Sequence, residues 1–335
     1  MPNTSDDMKL KVSEYYLNNR ETFINFINNL FLPYKEILLE EEKLIQQNKD
    51  KTSNDIKLQE LDNDKFSLLT HQKIVKQYMS LYSPYRGLLL FHGLGSGKTC
   101  SSIAITEGLK NDKQIIVMTP ASLRDNYIEE LKKCGDFLYK KNQFWEFISI
   151  VENPEYLNIL SNILKLPEDY ITKNNGAWFI NTKKEANFNE LTYDEQERIN
   201  EQINKMIMYK YKFISYNGLR QSHIQSLSEN YEINPFTNKV VVIDEAHNFV
   251  SRIVNKLRTN NKSSISLKLY DYLLSAENCK IILLSGTPII NYPNEIAALY
   301  NILRGYIYVL SCKIIETDKK YNENNLIKLL KDNNL

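Results

Sequence analysis

Apolar residues in this chain fall into short unbroken runs separated by polar, helix-periodic segments. Runs at 87–92, 114–119, 213–216, 239–243 and 280–285 are long enough for buried strands and too short for helices. Val240, Val241, Val242 and Ile243 are β-branched and apolar on both faces, as a central parallel strand requires. From Phe66 onward strands alternate with helical segments, which predicts an α/β fold with a parallel sheet. The stretch from Cys134 to Lys212 is longer than a simple crossover needs. It holds candidate strands at 144–150 and 177–182 and a helix at 193–209, opened by a Thr192/Glu195 capping box. These features predict an insertion at the sheet's edge, about residues 135–211.

The N-terminal part reads differently. Phe23, Ile27, Leu30 and Phe31 form one stripe of a helix at 13–32, which Pro33 is expected to interrupt. A second helix at 34–46 carries Ile37, Leu38, Leu44 and Ile45. The pair is expected to pack on the main domain, with polar residues 48–64 as a linker. The expected organisation is thus a helical extension and linker (1–64), a main domain (65–308) and a polar tail (309–335). The tail ends in a short amphipathic piece with Leu326, Ile327, Leu329 and Leu330.

Two of the predicted strands run straight into candidate chemistry. After Gly87–Phe91 comes His92-Gly93-Leu94-Gly95-Ser96-Gly97-Lys98-Thr99. Alternate glycines let the backbone turn tightly and aim successive N–H groups at an anion. Lys98 brings a cation to the β- and γ-phosphates, and Thr99 offers a hydroxyl to Mg²⁺. The helix that follows turns its positive end to the same place. The strict pattern has glycine where this chain has His92; the strand before and helix after keep the phosphate-loop reading. The second strand delivers Asp244 and Glu245 at its carboxyl end, where open α/β sheets bind ligands. Asp244 is the candidate magnesium ligand, and Glu245 the candidate base that orients and deprotonates water. ATP and Mg²⁺ are therefore the expected cofactors.

Composition narrows this little. Lys plus Arg number 42 and Asp plus Glu 41, a net charge of +1, so any nucleic-acid groove must be local. Cys100, Cys134, Cys279 and Cys312 show no CxxC spacing, which argues against zinc and for an intracellular, reducing compartment. No apolar run approaches membrane-spanning length, and the polar N-terminus predicts no signal peptide.

A third strand leads into Ser285-Gly286-Thr287-Pro288-Ile289-Ile290-Asn291. With the phosphate loop and Asp244-Glu245-Ala246-His247, the chain resembles the Snf2-like group of superfamily 2 helicases. Within that group it is similar to the giant-virus branch, near the poxvirus early transcription factor small subunit and the poxvirus DNA-dependent nucleoside triphosphatase. The resemblance spans roughly 66–306. It implies a RecA-like P-loop NTPase domain acting on nucleic acid, with double-stranded DNA the favoured track. Gln72 matches the family's adenine-reading glutamine; a surface glutamine is the plainer alternative. Thr119-Pro120-Ala121-Ser122-Leu123, followed by Asn126-Tyr127, resembles motif Ia, and Ile214-Ser215-Tyr216 a second nucleic-acid motif. Pro120, Ser122 and Ser215 are therefore candidate track contacts, although Pro120 and Ser122 also suit a helix cap near Ser122. Arg124 and Lys132 are expected on solvated helix faces, and Phe144, Trp145 and Trp178 in the insertion's core. His247 is expected to couple the nucleotide site to motif III through Ser285, Gly286 and Thr287.

Such motors use a second RecA-like lobe whose arginines reach the γ-phosphate. Only Arg304 follows Pro288, and its surroundings do not match that motif. An arginine finger is worth roughly 10³–10⁵ in rate. The expectation is an ATP-binding lobe that hydrolyses slowly alone and needs a second lobe or partner chain. The resemblance further implies viral transcription, association with a viral RNA polymerase, and residence in the virion or a cytoplasmic virus factory. A non-catalytic nucleotide-binding subunit of a transcription complex is the alternative.

Overall fold

The computed structural model describes residues 20–48, 68–80, 83, 85–93, 97–259, 264–306 and 322–332. Five strands form one parallel sheet: β1 (Gly87–Phe91), β2 (Gln114–Thr119), β5 (Tyr211–Ser215), β6 (Lys239–Ile243) and β7 (Lys280–Ser285). Their spatial order is β1-β7-β6-β2-β5, so β7 lies between the strands that carry the two nucleotide motifs. A separate antiparallel pair, β3 (Trp145–Ser149) and β4 (Gly176–Ile180), belongs to the insertion. The fold is a mostly parallel sheet flanked by helices, the expected RecA-like α/β architecture.

Strand alternation explains why the sheet is covered on both faces. Ile115, Val117, Val240, Val242, Ile282 and Leu284 point to one core. Ile116, Met118, Val241, Ile243, Ile281 and Leu283 point to the other. The first face receives α3 (Lys98–Leu109), α4 (Arg124–Cys134) and α7 (Tyr193–Lys210). The second receives α9 (Ala246–Arg258), α10 (Ile265–Ser275) and α11 (Glu295–Arg304). Between α7 and α9, α8 (Gln221–Leu227) adds Ile224 to this second core. Gly87 lets α11 approach β1 closely: a Cβ there would lie 2.7 Å from the backbone of Leu303.

The insertion also contains α5 (Tyr156–Leu164) and α6 (Glu168–Lys173), two short helices absent from the sequence expectation. It has no core of its own. Trp145, Trp178, Leu160 and Ile171 join the same cluster as Ile103 and Leu131. The Thr192/Glu195 capping box is formed, with Glu195 N donating to Thr192 Oγ1 at 3.4 Å and Thr192 N to Glu195 Oε2 at 2.9 Å.

The N-terminal expectation needs correction. Instead of a pair broken at Pro33, one helix, α1 (Arg20–Asn48), runs through the proline. Proline removes a single rung of the ladder, and tertiary contact supplies an anchor. α1 packs against α2 (Thr70–Tyr78), with Phe31 stacked on Tyr78 at 6.4 Å between ring centres. Residues 13–19, and most of the expected linker, lie outside the described residues. Described residues up to Gly305 belong to one compact unit; a second unit, Tyr306–Leu335, contains α12 (Glu323–Asp332) with Leu326, Ile327 and Leu329 exposed.

Candidate active site

The carboxyl ends of the parallel strands lie side by side, and the candidate residues follow from them. Gly97 caps α3 with φ +74°, a left-handed turn suited to glycine. Lys98 and Thr99 open that helix. Lys98 Nζ donates to the carbonyls of His92 and Gly93, each at 2.9 Å, folding the lysine back over its own loop. Leu94, Gly95 and Ser96 lie outside the described residues. Gln72 is buried on α2 and bridges to the loop: its Nε2 donates to Gly97 O at 3.4 Å, and its Oε1 accepts from Leu69 N at 3.0 Å.

At the end of β6, Asp244 N donates to Met118 O at 2.8 Å, continuing the ladder one residue beyond the strand. Glu245 then turns into the left-handed region, φ 47° and ψ 50°, and begins α9. A non-glycine residue there carries a cost of about 1–3 kcal/mol, a form of strain common at working sites. Two donors hold the turn. Glu245 N donates to Asp244 Oδ1 at 3.0 Å, and Tyr216 Oη shares its proton between the carbonyls of Asp244 and Glu245, at 3.2 and 3.1 Å. Burial and then the neighbouring Glu245 charge raise the Asp244 pKa to about 6. Burial and the Glu245 charge thus outweigh the opposing pull of Lys98 on this carboxylate, and a bound cation would offset them.

Lys98, Thr99, Asp244 and Glu245 line one cavity of about 420 Å³, together with Asn126, Tyr127 and Glu130 of α4. A volume of this size suits a small-molecule ligand. A lysine, a hydroxyl and two carboxylates converging on it fit a metal–phosphate group.

Across the strand ends, His247 Nδ1 lies 2.9 Å from Ser285 Oγ and 3.3 Å from Glu245 Oε2. Ser285 Oγ accepts from Thr287 N at 3.0 Å. A continuous chain therefore runs from Glu245 through His247 and Ser285 to Thr287, which is exposed. Gly286 lies against the loop; a Cβ there would sit 3.7 Å from His92 O and 3.8 Å from Lys98 Nζ. Asn291 Nδ2 donates to Ser251 Oγ at 2.7 Å, tying this segment to α9.

Pro120 and Ser122 follow β2, and Ser215 ends β5 in register with Thr119. Ser122 is exposed, and Ser215 Oγ is buried with no hydrogen-bond partner among the described residues. Ser122 does not cap the following helix. A short 3₁₀ turn, Ala121–Leu123, intervenes, and α4 starts at Arg124 with Leu123 before it. Lys132 is not solvated either: it is buried and paired with Glu129 at 2.7 Å. Arg124 is exposed and lies over the Phe213 ring at 5.7 Å.

Sequence reasoning missed the cysteines. Cys100 and Cys134 were expected as scattered reduced thiols, yet they are joined in a disulfide beside this cavity. A separation of 34 residues gives no local pattern to read. Tyr216 was noticed only as part of a motif; its hold on the Asp244–Glu245 turn depends on where β5 ends.

The sequence profile of the SNF2-related domain matches residues 70–313. The chain belongs to the SNF2-related domain family. This SNF2-related chain is 28% identical over 243 residues to a protein of Acanthamoeba polyphaga mimivirus bearing the provisional name ATP-dependent RNA helicase; the match covers 71% of this chain and 33% of that protein. It is 25% identical over 251 residues to a provisionally named helicase of invertebrate iridescent virus 3, covering 70% and 20%. It is 24% identical over 267 residues to a termination factor NPH-I homologue of African swine fever virus, covering 75% and 29%. The chain thus spans a third or less of the length of these viral relatives. Among solved structures, the Sulfolobus solfataricus SWI2/SNF2 ATPase core in complex with double-stranded DNA matches with a TM-score of 0.36 and 18% identity, over 71% of this chain and 35% of that one. The expected resemblance to giant-virus Snf2-like proteins holds, and with it a helicase-like ATPase domain. Among the described residues, no helix is long and apolar enough to cross a membrane.

Proposed function

We propose that this domain is the ATP-binding and hydrolysing lobe of a DNA-dependent motor that serves viral transcription. The convergence of Lys98, Thr99, Asp244 and Glu245 on one cavity, from motifs far apart in sequence, carries the reading. Lys98 would leave its loop carbonyls for the β- and γ-phosphate oxygens. Gln72, fixed between Leu69 and Gly97, is assigned to the adenine. Thr99 and Asp244 would hold magnesium, which supplies charge neutralisation on the phosphate oxygens. Glu245 orients the attacking water and takes its proton. The chain from Glu245 through His247 and Ser285 to Thr287 then relates the water-activating carboxylate to an exposed loop. Pro120 and Ser122 lie along the strand-end edge and are assigned to the nucleic-acid backbone, whereas the Ser215 hydroxyl is buried behind it.

Full turnover needs an arginine aimed at the γ-phosphate, which we assign to a second lobe in a longer chain or on a partner. The decisive experiment measures Mg·ATP binding and turnover with and without double-stranded DNA, at low and moderate salt. Tight binding with slow turnover is expected. Fast DNA-stimulated turnover by this chain alone would overturn the need for a second lobe. In the complete motor, Glu245→Gln should keep nucleotide binding and lower turnover by roughly 10²–10⁴. Unchanged turnover would remove Glu245 from the role of base.

A further inference from the structure

The Cys100–Cys134 bond joins the two helices that wall the nucleotide cavity. Cys100 directly follows Thr99 in the first turn of α3, and Cys134 ends α4. Their Cα atoms are 5.5 Å apart, within the ordinary range for a bridge, and each residue is 8% exposed. Glu130, one turn before Cys134, lines the cavity. Its Oε2 lies 3.4 Å from Cys100 Sγ and 3.7 Å from Cys134 Sγ, while its Oε1 accepts from Lys133 Nζ at 2.9 Å. In the reduced state this carboxylate is placed to accept from both thiols. One bond therefore links the phosphate-loop helix to the opposite wall, against the nucleotide's own residues.

We infer that Cys100 and Cys134 form an oxidisable dithiol whose bridging sets nucleotide affinity. Glutathione disulfide is a sufficient oxidant. One cysteine sulfur attacks it, forming a mixed disulfide and releasing one glutathione. The second cysteine sulfur attacks the protein side of that mixed disulfide, releasing the other. Two electrons pass from the cysteine pair to glutathione, and the two thiol protons end on the released glutathione thiols. The bridge fixes the separation of α3 and α4. A cavity held in shape loses less freedom on binding, so the bridged domain binds nucleotide more tightly and releases it more slowly. Reduction frees the end of α4 and weakens binding.

This inference rests on the nucleotide reading, and one experiment separates the two. The whole chain is equilibrated with glutathione disulfide or with excess dithiothreitol. Intact mass and peptide mapping report the bridge, and titration with a fluorescent ATP analogue and Mg²⁺ reports affinity. The expected result is loss of two hydrogens localised to Cys100 and Cys134, a melting temperature raised by several degrees, and affinity at least threefold tighter in the oxidised form. Cys134→Ser, which lies outside the cavity lining, should bind like the reduced protein under both conditions. Free thiols or stable glutathione adducts at Cys100 and Cys134 after oxidation would overturn the inference, as would a formed bridge with unchanged affinity. So would reduced protein carrying one zinc per chain with protected thiols, which would make Cys100, Glu130 and Cys134 a metal site. A bridge that forms in protein unable to bind nucleotide in either state would sink the nucleotide reading and the affinity effect with it.

Discussion

β1 and β7 each have one end in the candidate active site and the other at the foot of the sheet, and the two ends use charge in opposite ways. At the carboxyl edge, Lys98 after β1 is turned back on its own loop, and after the neighbouring β6 Asp244 is held at a pKa of about 6 and Glu245 sits in a left-handed turn. At the amino ends, the half-buried Arg86 and the buried Lys280 are engaged by backbone carbonyls. Arg86 donates to the carbonyls of Leu273, Ile302 and Leu303, closing the last turns of α10 and α11 together. Lys280 Nζ donates to Ser83 O and Tyr85 O, each at 2.7 Å. Carbonyls at helix ends lack partners, and a cation there satisfies both the hydrogen bonds and the helix dipole. One end of the sheet therefore ties its cations to backbone carbonyls; the other keeps its charges available for a ligand.

Four substitutions separate these roles. Lys98→Ala should weaken nucleotide binding by about 100-fold or more, roughly 3 kcal/mol for a lost charged contact, with little change in melting temperature. Calorimetric titration and thermal melting on the same sample check it; a large loss of stability would show that Lys98 serves the fold instead. Arg86→Met should do the reverse. Three carbonyls lose their donor, for about 2–4 kcal/mol of stability, while affinity per folded molecule stays the same. Denaturant titration reads the loss, and an equal fall in affinity would erase the contrast between the ends.

The third test uses pH. Burial, then the Lys113 charge, lowers the Lys280 pKa from 10.5 to about 8. Between those values the unfolded chain holds a proton that the folded chain has shed, so stability rises with pH across that window. Wild type should gain up to about 3 kcal/mol relative to Lys280→Met between pH 8 and 10.5. Parallel stability curves for the two proteins would mean that Lys280 stays charged in its carbonyl cage. The smallest effect concerns the strained turn. Glu245→Gly removes both the left-handed cost and the charge beside Asp244, and should raise stability by about 1 kcal/mol. A lower melting point would show that the lost His247 contact outweighs the strain.

The strands at 114–119, 239–243 and 280–285 were legible to the residue because each is apolar on both faces and bounded by polar residues. The start of the edge strand β5 was not. It begins at Tyr211, two residues before the apolar run, because Tyr211 Oη reaches Glu107 at 2.6 Å and Thr106 at 3.1 Å on α3. Pro33 misled for a related reason: local chemistry predicted a break that packing against α2 overrides. Arg86 and Lys280 were invisible as isolated cations, since their partners come from residues up to 217 positions away.

The sequence by itself determined the central strands, the glycine-rich turn before Lys98, the Asp244–Glu245 pair and the family, because each is written in neighbouring residues whose spacing is fixed by backbone geometry. Only the tertiary structure decided that β7 lies between the two motif strands, putting Ser285 within reach of His247, and that α3 and α4 bring Cys100 to Cys134. Those relations depend on strand order and on helices packing across a shared core, and no local spacing encodes either.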